Sequence, residues 1–294
     1  MKKIKLQRSV FDWLPVPFVE VIIIAVAGAI LGDIICVPIE DHIKGIDKEV
    51  VNFFFAYFQT IGVWLFAAAY MFAIKKYRPI IKGFKDKDIK GTIKMLLAGF
   101  LLGFISNASC VLLAIALKEL SISFVSVNVL GLIAFFIAVF VQSSMEEMLC
   151  RGFLYQRILR AYKKPAVAII GNALLFGILH VLNPGVTLLS IINIILVGIH
   201  YSLLVYYFDS IWLPMAAHAA WNFTQNILFG LPNSGSETHF SVYELVSARD
   251  GIAYNTSFGV EGTVYTCVLL LLVNVPVIII GRKYQSSKRN LEST

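Results

Sequence analysis

Of 294 residues, 58% are apolar and only 15% charged, against about 25% charged in ordinary globular domains. With a mean hydropathy of +0.79, this excludes a soluble globular or disordered chain and leaves a membrane protein with little soluble mass. The net charge of +7 does not point to nucleic acid, because the basic residues fall in a few short segments rather than on a soluble domain.

The start, Met1 to Arg8, is basic and precedes an apolar stretch, as in a secretory signal. That stretch runs on through Ile30 to Cys36 with no polar cleavage region, so it reads as a first span. Runs of about 20 apolar residues match the bilayer core. Eight are expected, at 16–38, 50–74, 91–117, 125–150, 166–183, 187–208, 211–230 and 262–281. The fourth is expected to stay helical past Arg151 toward Tyr162. The fold class is therefore all-α, a bundle of about eight transmembrane helices forming one membrane domain over 1–294. Four cysteines, Cys36, Cys110, Cys150 and Cys267, lie in or beside separate apolar runs without a C-x-x-C pair, which argues for small apolar fillers rather than disulfides or a metal knot.

Lysine and arginine set the orientation. The N-terminus (Lys2, Lys3, Lys5, Arg8), the 75–94 connection (including Lys85 and Lys87), the 151–164 stretch (Arg151, Arg157, Arg160, Lys163, Lys164) and the tail (Arg282, Lys283, Lys288, Arg289) hold 21 of the 25 basic residues. All fall on one side if eight spans alternate. The other side carries Glu40, Asp41, Asp47, Glu49, Glu119, Glu237, Glu244, Asp250 and Glu261. Both termini are thus expected in the cytoplasm, and 231–261 is the longest outer connection, either an ordered cap or a solvated loop.

Charged groups at membrane depth are costly, so an intramembrane acid pair marks a functional site. Glu146 and Glu147 close the fourth run. Glu147 and Arg151 stand at i,i+4 and can pair, as a support for the site or simply as an ion pair at a helix end. Glu146 points about 100° away from Glu147. His180 lies one turn after Phe176, and Asn222 one turn after His218. Lys163-Lys164-Pro165 turns the chain between spans four and five. Glu146 and His180, each 17 residues from Lys163, therefore come level in an antiparallel hairpin, roughly 25 Å from the turn. His218 and Asn222 enter span seven at a similar level. Asn172, Asn193 and His200 read as interhelical hydrogen-bonding groups, and Glu20 and Asp33 as facing water near the interface.

A carboxylate beside an imidazole can hold and deprotonate water, and a second imidazole with an amide can donate to an oxyanion. No G-x-S-x-G elbow or H-E-x-x-H helix occurs, so a water nucleophile is expected. Two histidines and one glutamate (Glu146, His180, His218) could instead hold zinc with an open position. No cofactor is firmly implied.

In order, Glu146-Glu147-x-x-x-Arg151, Phe176-x-x-x-His180 and His218-x-x-x-Asn222 resemble the three motifs of the CPBP intramembrane proteases. These comprise the type II CAAX prenyl endopeptidases and the bacterial Abi, or bacteriocin self-immunity, proteins. The resemblance covers about 125–230. It implies an eight-helix core with a cavity open to the cytosol and an endopeptidase acting on a peptide that is prenylated or membrane-embedded. By position it makes Glu146 the water-activating base with His180, and His218 with Asn222 the oxyanion pair, with Glu147, Arg151 and Phe176 in support. It also suggests a prokaryotic plasma membrane. A glutamate mechanism is favoured over zinc, because the sequence offers no further carboxylate clearly placed to orient either histidine. The alternative is a non-catalytic scaffold or immunity protein gripping a peptide in the same cavity. A coupled transporter is disfavoured by the lack of an inverted repeat. Membrane lipid is the other implied partner, and nucleic acid is not one.

Overall fold

The computed structural model describes residues 10–84 and 88–293, without the side chains of Val10 and 288–293. Lys2, Lys3, Lys5, Arg8, Lys85 and Lys87, and the side chains of Lys288 and Arg289, counted above for orientation, lie outside the described residues.

Helix starts follow from local chemistry. α1 (Val16–Glu40) carries Pro17 in its first turn, where a missing N–H costs nothing. α2 (Lys48–Phe58) is capped by Asp47, whose carboxylate accepts the Glu49 N–H at 2.7 Å. α3 (Ile61–Ala73) follows Gln59-Thr60, so the expected second span is two helices in tandem. After a short α4 (Arg78–Lys82), α5 (Ile89–Ala116) is capped by Asp88 on the Gly91 N–H at 2.6 Å. α6 (Val129–Glu147) is capped by Asn128 and runs without a break into a π-helical segment, Met148–Leu154, and on into α7 (Tyr155–Tyr162). Lys163 then adopts a left-handed φ of 56° and Pro165 opens α8 (Pro165–Leu179). α9 (Leu188–Phe208) begins in a reciprocal capping box of Thr187 and Ser190. α10 (Trp212–Asn222) passes into a second π-helical segment, Phe223–Leu228, and α11 (Val264–Ser293) ends the chain.

Among the described residues, six stretches are long and apolar enough to cross a membrane: Val16–Glu40, Lys48–Ala73, Ile89–Ala116, Val129–Tyr162, Leu188–Phe208 and Val264–Ser287. Of the other two expected spans, the fifth is a shorter helix, and the seventh is α10 together with the π-helical segment that carries it on to Leu228. α8 has 15 residues and stops at Leu179, ahead of a turn at Asn183-Pro184-Gly185 in which Gly185 has φ of 68°. α10 has 11 residues, and every one from Leu213 to Asn222 is buried. Half of the most apolar window of α9 is buried, against 22% in α1 and α11. α9 and α10 therefore form the centre of the bundle, and α1 and α11 its lipid-facing rim.

The position of α10 is set by α5. An added Cβ on Gly99 would lie 2.2 Å from the Leu213 carbonyl oxygen, and one on Gly103 would lie 2.0 Å from that of Ala217. Only glycine, repeated every fourth residue, lets the two backbones approach this closely.

The two ends of the bundle are closed differently. At the end where α7 meets the Phe11–Asp12 segment, Arg157 is fully buried, as is Arg151 deeper in the bundle, although both count above as loop charges. Arg157 donates to Asp12 Oδ1 and to the Phe11 carbonyl, each at 2.6 Å, and also to Glu20; Arg160 reaches Asp12, and the Tyr70 hydroxyl donates to Glu20. Glu20 thus belongs to a buried charge network rather than to the water interface, whereas Asp33 is exposed. Burial alone would raise the Asp12 carboxyl, but the hydrogen bond from Arg160 and the charges of Arg160 and Arg157 outweigh it and hold Asp12 below its ordinary range. At the other end the helical bundle carries one small two-stranded ribbon. β1 (Leu120–Phe124) pairs antiparallel with β2 (Tyr243–Ala248). Buried Glu119 fastens this ribbon's far side, accepting the N–H groups of Ile252, Ala253 and Tyr254 at 3.0, 2.8 and 3.0 Å. The 231–261 connection is an ordered cap because a carboxylate and a strand hold it.

Candidate active site

Glu146 and Glu147 end α6, and their side chains diverge as adjacent helical residues must. Glu147 is fully buried, while the Glu146 side chain keeps 23% of its exposure. α10 brings His218 against both. Its Nδ1 lies 3.0 Å from Glu147 Oε1, and its Nε2 3.9 Å from Glu146 Oε2. Glu147 Oε1 also accepts from Arg151 Nη1 at 2.9 Å. Glu147 therefore does more than hold Arg151. It is the orienting carboxylate that sequence reading does not find, because its second partner lies on a distant helix. A carboxylate partner assigns the proton to Nδ1 and turns Nε2 toward Glu146.

Gln142, one turn before Glu146, is a site residue the sequence reading misses, although its i,i+4 spacing is a usable signal. Its Nε2 donates to Glu146 Oε1 at 2.5 Å, and its Oε1 accepts from Ser143 Oγ at 3.1 Å and from Asn222 Nδ2 at 3.3 Å. Asn222 Nδ2 also lies 3.2 Å from Ser143 Oγ. With one oxygen of Glu146 held by Gln142, the other, Oε2, has no hydrogen-bond partner among the described residues.

His180 caps the C-terminus of α8, where its Nδ1 donates to the Phe176 carbonyl at 2.8 Å. That bond leaves Nε2 as the free nitrogen. The Phe176 ring packs on His180 with centroids 4.5 Å apart, and the Arg151 guanidinium sits 4.4 Å from the same ring. Phe176 thus joins the first motif to the second as a packed wedge. Tyr201, on α9, stands 5.3 Å from the His218 ring and 5.4 Å from Arg151, a packing role no sequence signal marks.

These groups face a cavity of about 500 Å³, within the usual size range of small-molecule sites. Glu146, His180, His218 and Asn222 all line it, as do Gln142 and Phe176; Glu147 and Arg151 stand behind the wall. Val21, Ile22, Ala25 and Val26 of α1 form an apolar side, and Asn183, Asn233, Ser234 and Ser236 a polar end. The other intramembrane polar groups point elsewhere: His200 bonds Asn274 at 2.8 Å, Asn172 bonds Ser202 at 3.0 Å, and Asn193 reaches the carbonyls of Glu261 and Thr263. The cysteines are all free thiols.

The zinc option fits this arrangement poorly. Among the described residues, no group of three or more His, Cys, Asp or Glu side chains gathers closely enough to hold a metal ion. The bond from Glu147 to His218, on the other hand, is the kind of outer carboxylate that metal-binding histidines use. Glu147 is thus a carboxylate placed to orient one of the two histidines, which the sequence alone does not offer.

A carboxylate, two imidazoles and an amide thus converge on one cavity within an apolar helical bundle, the architecture of a polytopic membrane protein. Residues 128–224 match a family model described as Rce1-like, type II CAAX prenyl endopeptidase Rce1-like. The matched stretch, from the cap of α6 to the second π-helical segment, contains all three motifs, in agreement with the family resemblance read from them. That stretch, about a third of the chain, is similar to a CAAX-type protease segment and lies within a polytopic membrane protein. Comparison with curated proteins and with solved structures gives no match.

Proposed function

We propose that this protein is an intramembrane endopeptidase in which Glu146 activates a water molecule. The observation that carries this reading is the placement of His218 between the two glutamates, with the Glu146 oxygen nearest it unpartnered inside the cavity. Gln142 fixes the Glu146 carboxylate, and Oε2, with Nε2 of His180, holds the water. Glu146 takes one proton as the water oxygen attacks the peptide carbonyl carbon. The oxyanion receives hydrogen bonds from a protonated His218 Nε2 and from Asn222 Nδ2, which gives up its long bond to Gln142 Oε1 to make it. Collapse breaks the C–N bond, and Glu146 returns its proton to the leaving amine.

The substrate is a peptide held in the membrane, by an isoprenyl group or by its own apolar residues, against the Val21–Val26 wall. Eight spans with both termini cytoplasmic fit the lysine and arginine distribution. In that orientation the 233–236 turn covers the cavity from the outer side, which favours entry from the cytosolic half or laterally past α1.

Purified Glu146→Gln, folded and inserted, is expected to lose at least about 10³-fold of cleavage; full activity would sink the mechanism. Elemental analysis of chelator-treated, still active protein tests the zinc route in the same preparation. Stoichiometric metal whose removal reversibly stops turnover would replace the glutamate mechanism. A scaffold or immunity role would show as cellular function retained by Glu146→Gln.

A further inference from the structure

The polar end of the cavity is built by a turn that no motif includes. Asn233 and Ser236 exchange both backbone hydrogen bonds, N–H to carbonyl, at 3.0 and 2.8 Å. Ser234 and Gly235 between them have φ of 49° and 85°, the pair of positive angles a type I′ turn requires. Within a 31-residue connection, roughly the span 231–261, this turn is held unusually firmly. The Ser234 N–H donates to Glu261 Oε2 at 2.7 Å, and the Ser234 carbonyl accepts from Asn183 at 3.1 Å. Gly235 packs so closely that a Cβ would lie 2.2 Å from the Pro184 carbonyl oxygen. Glu261 in turn accepts from Trp221 Nε1 at 3.1 Å, next to Asn222.

The purpose of this rigidity is visible at Asn233. The residue lines the cavity and is 5% exposed, yet its Nδ2 has no hydrogen-bond partner among the described residues. A buried amide donor left unpaired weakens a fold. It is what a site built to receive an acceptor oxygen looks like before that oxygen arrives.

We propose that the Asn233–Ser236 turn is a substrate-binding subsite, in which Asn233 Nδ2 donates to an acceptor oxygen of the bound peptide, a main-chain carbonyl or a terminal carboxylate. The inference rests on the peptidase reading above for the nature of the ligand. Asn233 is a specificity residue and does not touch the reacting atoms; Glu261 positions it.

The test uses the full-length Glu146→Gln chain in detergent, so that the probe is bound but not cut. The probe is a fluorescent peptide with a farnesylated cysteine followed by three residues, made with a free terminal carboxylate and as its terminal amide. Asn233→Leu is expected to weaken binding about tenfold by anisotropy, with the thermal midpoint held or raised, because the lost donor had no partner in the fold. An equal loss for both probes assigns a main-chain carbonyl, and a loss confined to the free acid assigns the terminal carboxylate. Unchanged affinity for both probes overturns the proposal. So does failure of the parent chain to bind either probe, or a fall of several degrees in the midpoint of Asn233→Leu, which would make the amide a structural bond. Binding that depends on Asn233 in a wild-type chain that cuts neither probe would instead retire the peptidase reading and leave the subsite standing.

Discussion

His218 is oriented by Glu147, not by Glu146: the imidazole bonds the buried acid at 3.0 Å through Nδ1 and offers Nε2 to the half-exposed one at 3.9 Å. Two adjacent glutamates therefore serve one histidine from opposite edges, one fixing the ring and one sharing the cavity with it.

Separating the two duties of Glu147 takes a pair of variants. Glu147→Gln leaves Arg151 charged and buried without its partner, and is expected to destabilise the protein by about 3–5 kcal/mol. Glu147→Gln combined with Arg151→Met removes both charges and should recover much of the thermal midpoint. Turnover of the double variant should stay about 10- to 100-fold low, because His218 has still lost its orienting carboxylate. Recovery of wild-type turnover together with stability would reduce Glu147 to an ion-pair partner.

The histidines should divide cleanly. His180→Ala removes a cavity-lining imidazole and is expected to lower kcat by at least about 10²-fold. His200→Ala removes the bond to Asn274 on α11 and a ring packed on Tyr201, outside the cavity lining, and should cost about 1–3 kcal/mol of stability with little effect on turnover. Normal turnover by His180→Ala would remove it from the site.

A change remote from every motif should also reach the chemistry. Gly103→Ala places a methyl group 2.0 Å from the Ala217 carbonyl oxygen, so α10 has to move, carrying His218 and Asn222 with it. A displacement near 1 Å is expected to lower turnover by about 10²-fold. Wild-type kinetics in a properly inserted Gly103→Ala protein would show that the α5–α10 approach does not fix the site.

Burial pushes the Glu261 carboxyl above its ordinary range, opposed by the hydrogen bonds from Ser234 and Trp221 and the nearby histidines. The folded state then binds the proton more tightly than the unfolded chain. This contribution to stability is largest in acid and falls as pH rises from about 4 through the folded value. Glu261→Gln does not titrate. The thermal midpoint of the wild type should therefore decline relative to that of the variant between about pH 4 and pH 7. A parallel pair of curves would contradict the raised value.

Much of this was legible in the sequence wherever the cause was local. Apolar run length located the long helices, helix spacing paired Phe176 with His180, and counting outward from Lys163 brought Glu146 and His180 to one cavity. What was not legible depended on partners far along the chain. Glu147 and His218 are 71 residues apart, and the burial of Glu119 and Glu261 follows from a connection whose path has no periodic signal. Hydropathy also assigned α8 more length than it has, because the apolar residues Val181 and Leu182 continue the run past the helix end at Leu179. Gln142 could have been found, as it stands one turn from Glu146 on the same face.

Each of the two central site helices widens directly after its last motif acid or amide, at Met148–Leu154 and at Phe223–Leu228. A wide turn takes in an extra residue and shifts the angular phase of everything beyond it. The stretch from α6 to α7 can thus aim Glu146 and Glu147 at α10 while Arg157, further along the same span, meets Asp12 on the N-terminal segment. A single uninterrupted α-helix has one phase and could satisfy only one of those neighbours. The wide turn acts as a joint, letting chemistry and anchorage be set at different angles on one span.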